Sequence, residues 1–420
     1  MITAVRGTRD FLPEETGVMQ FLEQSAAQVF SCYGFQEIRT PLIEWSELFT
    51  RAVGETTDIV EKEMYTFPDR KGKSLSLRPE GTASVVRAFV NHAQNQRLPW
   101  RVWYHGPMFR YERPQEGRSR QFHQIGCEEF GAPGPLADAQ MMAMAWRFLD
   151  KIGLGSFLRL EINTLGCPEC RVPYRTKLEK FLQEKIAALC DNCRQRLVRN
   201  PLRVLDCKVA GCRDVARMAP PMNAHLCPAC ADHFVTLEGH LRALALPYAL
   251  NTQMVRGLDY YTRTVFEVTT EHLGAQNAVA AGGRYDGLVE SMGGRATPAI
   301  GFAMGMERLV ALLEKQTGQV VSPMVFLVVV GSGEVVREGL CLAERLRGVG
   351  CRVEMSQEAG TMKSEMKRAG RSGAPVTLIL GSDEAAQRQV VHKDMATGVQ
   401  RTLLWEDAVQ SILGHNGNGL

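Results

Sequence analysis

The stretch WRVWYHGPMFRYERPQEGRSRQFHQIGCEEFG, residues 100–131, sets two runs of aromatic and β-branched residues on either side of a polar loop from Arg113 to Arg120. That pattern predicts a long antiparallel hairpin. Side chains alternate across a strand, so Arg110 and Glu112 share one face of the outgoing strand, while Phe122, Gln124, Gly126 and Glu128 share one face of the return strand. Should the two faces coincide, guanidinium, ring, amide and carboxylates meet on one surface. Such a surface suits a small charged molecule bound beside a nucleotide, because arginine grips phosphate through its planar fork and a phenyl ring stacks on a base. A solvated edge hairpin laced by cross-strand ion pairs is the other reading of the same residues. Gly126 weighs toward a ligand, since a missing side chain lets a second group approach the backbone.

Two further stretches have the same character. LRPEGTASVVRAF, residues 77–89, puts Glu80, Gly81 and Thr82 at a loop-to-helix start, where a carboxylate and a hydroxyl either bind a primary amine or simply cap the helix. RGLDYYTRTVFEV, residues 256–268, turns into a strand and carries Arg256 and the pair Tyr260 and Tyr261. Neighbouring strand residues face opposite ways, so at most one of these tyrosines is expected in a given pocket.

At 420 residues the chain exceeds one ordinary core. Residues 1–166 and 249–321 mix helices with long alternating strands, and the cysteine-rich residues 167–248 interrupt them as an insertion. Residues 323–420 alternate strand and helix: VFLVVV at 325–330, helical spacing over 334–348, CRVEM, a helix over 361–369, then VTLIL. That order predicts a small α/β domain with a parallel or mixed sheet. Gly331, Ser332 and Gly333 follow a strand like the start of a dinucleotide fingerprint, but Val336 stands where the third glycine belongs. With 45% hydrophobic and 23% charged residues and no apolar run long enough to span a bilayer, the composition is that of a soluble globular protein without a membrane partner. The start MITAVRGTRDFLPEE lacks the basic and apolar regions of a secretory signal, so a cytoplasmic location is expected. A net charge of +3 excludes an extended basic tail and leaves local nucleic-acid contacts open.

Together these segments resemble the class II aminoacyl-tRNA synthetases, and within them the histidyl-tRNA synthetase family. GFQEIRTPLIE at 34–44 resembles motif 1, the hairpin resembles motif 2 and PAIGFAMGMERLVALL at 298–313 resembles motif 3. RGLDYYTRTVFEV with AAGGRYDGL at 280–288 resembles the two histidine-specific elements, and GTRDFLP, MKSEMKRAGRSGA and VHKDMATGVQ are similar to the same family. The resemblance covers nearly the whole chain. It implies an α+β catalytic domain on a mainly antiparallel sheet, with the cysteine-rich domain inserted and a C-terminal α/β anticodon-binding domain. It also implies ATP-dependent activation of L-histidine and transfer to tRNA(His) by a homodimer using ATP with Mg2+. In the family Arg110 and Arg256 act on the α-phosphate, Phe122 and Glu112 hold adenine, and Arg118 and Arg308 clamp the outer phosphates. Glu80, Gly81, Thr82 and Gln124 then surround the substrate ammonium, Glu128 and Tyr261, beside Tyr260, meet the imidazole, and Arg113, Gln115 and Arg118 meet the tRNA acceptor end. Lys363, Lys367 and Arg371 form a basic stripe on one helix face, a solvated surface by default and a phosphate contact by resemblance.

The cysteines depart from that family's general pattern. Eight of the twelve fall in the insertion: the pairs Cys167 and Cys170, Cys190 and Cys193, Cys227 and Cys230, and the looser Cys207 and Cys212. In a chain without an export signal this favours thiolate metal ligation, with one or two structural Zn2+ ions, over disulfides. His225 and His233 are substitute ligands, and the simplest pairing lets the first two CxxC pairs share one ion. Three rivals remain at this level: a non-catalytic histidine-binding regulatory relative, a synthetase for another amino acid, and a plain tRNA-binding or zinc-structural protein. The retained Arg110, Arg256 and Arg308 and the C-terminal domain weigh against the first; Arg256 to Val268 weighs against the second. The third leaves the convergent pocket unexplained.

Overall fold

The computed structural model describes residues 2–54, 57–113, 118–273, 277–314, 324–331, 333–356 and 360–416. The chain divides into two compact units, Met1–Gln319 and Val320–Leu420.

The first unit is built on an eight-stranded sheet whose strands lie in the order Gln36–Glu37, Trp100–Phe109, Gln121–Phe130, Ala299–Gly305, Ala278–Arg284, Thr262–Thr269, Arg159–Thr164, Tyr248–Leu250. Only the pairs at its two edges are parallel, so the sheet is mainly antiparallel. Alternation decides which face is which. Ile125, Cys127, Ile300 and Phe302 point into a core with Leu22, Phe30 and Phe148 from the helices Pro13–Cys32 and Pro135–Lys151. Both helices carry proline in the first turn, where its missing N–H costs nothing. Each large side chain buried there contributes about 1.5–3 kcal/mol. The residues between them, Gln124, Gly126 and Glu128, are thereby turned to the opposite face, the one left for a ligand.

The cysteine-rich insertion is helical: Pro168–Glu184, Asp191–Arg199, Ala210–Arg217 and Pro228–Ala243. Its own small core joins Tyr174, Leu178, Leu182, Leu197 and Val215 with the cysteines. The last of these helices leaves it, burying Phe234, Leu237 and Leu241 in the main core. The insertion is therefore continuous with the body of the first unit.

In the second unit a five-stranded sheet has the order Arg352–Met355, Met324–Val329, Val376–Leu380, Gln389–Asp394, Gln400–Leu404. It is mixed, parallel in its first two pairings and antiparallel in its last two. The helix Met362–Ser372 buries Glu365 and Ala369 and leaves Lys363, Lys367 and Arg371 exposed on the other side. Among the described residues, no helix is long and apolar enough to cross a membrane.

Candidate active site

A cavity of about 890 Å³ opens on the ligand face of the large sheet, enough for a nucleotide and a small second molecule. The hairpin register pairs Met108 with Phe122 and Gly106 with Gln124, so the two faces read from the sequence do coincide. The Arg110 guanidinium lies 5.2 Å from the centre of the Phe122 ring, its Nε donating to the Pro79 carbonyl at 2.8 Å. Arg118 Nε is 3.1 Å from the Glu112 carboxylate. Arg308, from the helix Met306–Glu314, donates to the Ala278 carbonyl at 2.5 Å, and burial together with the charges of Arg118 and Arg110 lowers its pKa. The three guanidinium groups of Arg110, Arg118 and Arg308 outnumber the carboxylates of Glu112 and Glu307 and leave an excess of positive charge at this end, which fits a polyphosphate. Glu307 fixes the helix to the hairpin by accepting from the His123 N–H at 2.8 Å.

The other end is lined by carboxylates and hydroxyls. Glu80 accepts from the Thr82 and Ala83 N–H groups, each at 2.8 Å, so it does cap the helix Thr82–Ala88, and it lines the cavity as well. Thr82 Oγ1 donates to Glu128 at 2.7 Å and the Tyr285 hydroxyl donates to the other oxygen of Glu128 at 2.5 Å. Arg256 pairs with Glu267 and sits over the Tyr261 ring. Gln124 Oε1 and Arg256 Nε are buried without a hydrogen-bond partner, although both residues line the cavity. Buried orphan groups of this kind are rare in folded chains and each requires a reason, a functional role among them.

Several expectations need correction. Tyr260 and Tyr261 both line the cavity, their ring centres 4.6 Å apart. The strand begins only at Thr262, so strict alternation does not reach them. Gly126 is open not for a ligand but for the Tyr104 ring: a Cβ there would lie 2.4 Å from Tyr104 Cζ. Gly81 makes room for the same ring, at 2.2 Å, and is not part of the cavity lining. Arg113, expected at the tRNA acceptor end and not in the cavity, is exposed at the start of the hairpin loop and outside the lining; Gln115, expected there too, lies outside the described residues. Four contributors escaped the sequence reading as individual residues: Tyr104, Tyr285, Glu267 and Gly301. Any side chain at Gly301 would collide with Glu128.

Burial raises the Glu128 carboxyl to about 8, only partly offset by the hydroxyls of Tyr285 and Thr82. An unfolded chain releases this proton near 4.5 whereas the folded one keeps it, so stability falls as pH rises between those values. Calorimetry of the ligand-free protein from about pH 5 to 8 should show this decline. Glu128→Gln should remove the decline, and an unchanged slope would assign it to another group.

A second buried carboxylate, Asp138, sits beneath the sheet. Burial alone would raise its pKa, but the bond to His233 and the charge of Arg284 overcome that and hold it below the ordinary value. His233 Nε2 is 2.8 Å away, Thr264 Oγ1 donates at 2.5 Å, and Arg284 Nε donates at 3.0 Å.

The insertion gathers its eight cysteines into two groups of four: Cys167, Cys170, Cys227 and Cys230; and Cys190, Cys193, Cys207 and Cys212. Within each group the sulfurs lie within 4.8 Å of one another: Cys167 is 3.5 Å from Cys170 and 3.9 Å from Cys227 in the first, and Cys190 is 3.9 Å from Cys207 in the second. A disulfide needs about 2.05 Å. A tetrahedral zinc with bonds of about 2.3 Å sets its sulfurs about 3.8 Å apart, so both groups fit that ion. Cys167, Cys190 and Cys227 each stand at a helix N-cap, and backbone N–H donation from Cys193 and Cys230 lowers the Cys190 and Cys227 thiols to about 7. The pairing of the first two CxxC motifs is thus corrected, because the long helix Pro168–Glu184 separates Cys170 from Cys190, and Cys227 at the start of the helix Pro228–Ala243 lies beside Cys170 instead. His233 is engaged by Asp138, and His225 Nδ1 lies 3.3 Å from Lys177 Nζ; neither joins a sulfur group.

An antiparallel sheet that carries an arginine-bearing hairpin and a strand-to-helix arginine around one nucleotide-sized cavity defines a class II aminoacyl-tRNA synthetase. Residues 7–309 match the family model for histidyl-tRNA synthetase, and residues 324–415 match that for the anticodon binding domain. The chain is 48% identical to the histidine–tRNA ligase of Syntrophotalea carbinolica over 98% of both chains, and 50% identical to that of Trichlorobacter lovleyi over 97% of both. The crystal structure of apo S. aureus histidyl-tRNA synthetase superposes with a TM-score of 0.79 at 32% identity, covering 98% of this chain and 100% of that one. The chain belongs to the histidyl-tRNA synthetase family.

Proposed function

We propose that the chain is a histidine–tRNA ligase: it joins L-histidine to ATP as histidyl-adenylate, releasing pyrophosphate, and then moves the histidyl group to the 3′ end of tRNA(His). The observation that carries this reading is one cavity with three arginines at one end and, at the other, buried Glu128 between the hydroxyls of Thr82 and Tyr285. In the first step a carboxylate oxygen of histidine attacks the α-phosphorus and the bond to the pyrophosphate oxygen breaks. Negative charge grows on the α-phosphate, where Arg110 and Arg256 stabilise it in place of water. Arg118 and Arg308 hold the leaving phosphates, Phe122 stacks on adenine and Glu112 receives its amino group. Mg2+, when bound with ATP, would supply further countercharge to the outer phosphates beside Arg118 and Arg308. Glu80, Thr82 and the unpaired Gln124 oxygen take the substrate ammonium. Glu128 and Tyr261, backed by Tyr260, take the imidazole nitrogens, so an apolar analogue leaves buried groups unpaired and is rejected.

In the second step the terminal ribose hydroxyl of the tRNA attacks the activated carbonyl and AMP leaves, with Arg113, Gln115 and Arg118 at the acceptor end. The second unit binds the anticodon arm, its Lys363, Lys367 and Arg371 on phosphates. A homodimer is supported by apolar residues left exposed around motif 1, Leu42, Ile43 and Trp45. Each four-cysteine group holds a structural Zn2+, and the location is cytoplasmic. The regulatory reading is disfavoured by the retained arginines and by full-length similarity to ligases. Pyrophosphate exchange into ATP, run with each of the twenty amino acids, tests the proposal. Exchange with histidine alone is expected; folded protein that binds histidine without exchange would instead be the regulatory relative.

A further inference from the structure

The first four-sulfur group touches the start of the strand Thr262–Thr269, into which the loop carrying Arg256, Tyr260 and Tyr261 runs. Arg263, two residues after Tyr261, has φ +51, a left-handed conformation uncommon outside glycine. Two backbone hydrogen bonds hold it there: its N–H donates to the Gly166 carbonyl at 2.8 Å, and its carbonyl accepts from Leu165 at 2.7 Å. Gly166 immediately precedes Cys167, and a Cβ on it would lie 2.7 Å from Cys170 Cβ. The segment leading into the sulfur group therefore meets the strand backbone to backbone, two residues beyond Tyr261. Asn163 Nδ2 donates to the Met254 carbonyl at 2.9 Å, and Leu165, Met254, Tyr261 and Val265 form one buried cluster.

The other half of the group reaches the pocket by a second route. Cys227 and Cys230 open the helix Pro228–Ala243, and His233 in its next turn bonds Asp138. Asp138 also holds Thr264 and Arg284, and the next residue, Tyr285, donates to Glu128. Among the described residues, the second sulfur group is tied to the loop carrying Arg256 by side-chain hydrogen bonds. Asn200 donates to Asp259 at 3.2 Å and Arg203 to the Arg256 carbonyl at 3.4 Å. Both are longer than the two backbone bonds at Arg263 and therefore hold the loop less closely.

We infer that the site formed by Cys167, Cys170, Cys227 and Cys230 is a brace for the amino-acid pocket. A thiophilic d10 cation bound there, such as Zn2+, fixes Gly166 and the start of the Cys227 helix, and its occupancy sets the affinity for histidine. The second site stabilises the insertion alone. The phosphate end, built from the hairpin and the helix Met306–Glu314, is independent of both. This inference rests on the ligase and zinc readings above.

The test uses full-length protein loaded with Zn2+, with metal counted per chain and KM for histidine and for ATP taken from pyrophosphate exchange. Wild type should hold two ions, and Cys227→Ser and Cys207→Ser one each. Cys227→Ser should raise KM for histidine about tenfold or more while KM for ATP stays within about twofold; Cys207→Ser should move both by less than about threefold. Equal rises in the two variants, or an unchanged KM for histidine in Cys227→Ser that has lost its ion, would overturn the inference. Wild type that takes up no Zn2+ yet exchanges with histidine would overturn the zinc reading and leave the ligase standing. Should Cys227→Ser not fold, His233→Gln keeps all eight sulfurs: a raised KM for histidine with two ions bound supports the brace, and an unchanged one sinks it.

Discussion

Arg256→Ala is expected to lower the rate of histidine-dependent pyrophosphate exchange by about 10²–10³-fold at saturating substrates, as loss of a preorganised donor to a developing oxyanion does elsewhere. The guanidinium is held by Glu267 on one side and stacked near Tyr261, while its Nε remains buried and unpaired. The guanidinium as a whole lines the cavity and presents its positive charge to a substrate oxygen. The ground-state carboxylate uses only part of it; the charge that builds during attack uses it fully. The loss should therefore fall on kcat more than on KM for ATP. Removing the arginine also strands Glu267, whose carboxylate lines the same cavity and would then repel the α-phosphate. Arg256→Lys should rescue little, because a point charge replaces neither the fork nor its second hydrogen bond. Melting and sedimentation should match the wild type, since the group serves the cavity rather than the core. A variant with near-normal exchange would remove Arg256 from the chemistry.

Much of this site was legible because its parts lie on a strand pair with strict alternation. Once Arg110 and Phe122 are read on one face, Gln124 and Glu128 follow by parity, and the register bears that out. What escaped depends on distances no local pattern encodes. Gly126 and Gly81 looked like openings for a ligand or a cap. In three dimensions the Tyr104 ring fills both, and Tyr104 belongs to the opposite strand. Tyr285 reaches Glu128 across 157 residues, and Gly301 yields its space to Glu128 from a third strand. Alternation was also pushed too far at Tyr260 and Tyr261, which precede the strand. The sulfur groups show the same division: CxxC spacing announces the ligands, but only the path of the helices between them decides which pairs meet.

Asp138 was invisible for that reason, an acidic residue in an ordinary helical stretch, and it carries the largest expected effect on stability. It and Arg284 are fully buried, and His233 is 7% exposed. Asp138→Ala would leave Arg284 without its main counter-charge in the interior, at a cost of about 3–5 kcal/mol. In the first unit that corresponds to a fall in Tm of roughly 5–10 °C by calorimetry. The pair itself is not the source of that energy, because bringing two ions out of water offsets much of their attraction. Replacing both together, Asp138→Leu with Arg284→Met, should accordingly destabilise less than Asp138→Ala alone. Arg284 also donates to the carbonyls of Ala132 and Gly134, so recovery stays incomplete. The pH dependence separates this carboxylate from Glu128. Asp138 titrates lower in the folded chain than in the unfolded one, so its contribution is complete above the unfolded value, about 3.9, and is lost as pH falls through the folded one. The gap in Tm between wild type and Asp138→Ala should hold steady from about pH 5 to 8, where the Glu128 contribution declines, and should close in acid. A gap that stays open at pH values where wild-type Asp138 is protonated would mean that its hydrogen bonds to Thr264 and His233, not its charge, hold these elements together.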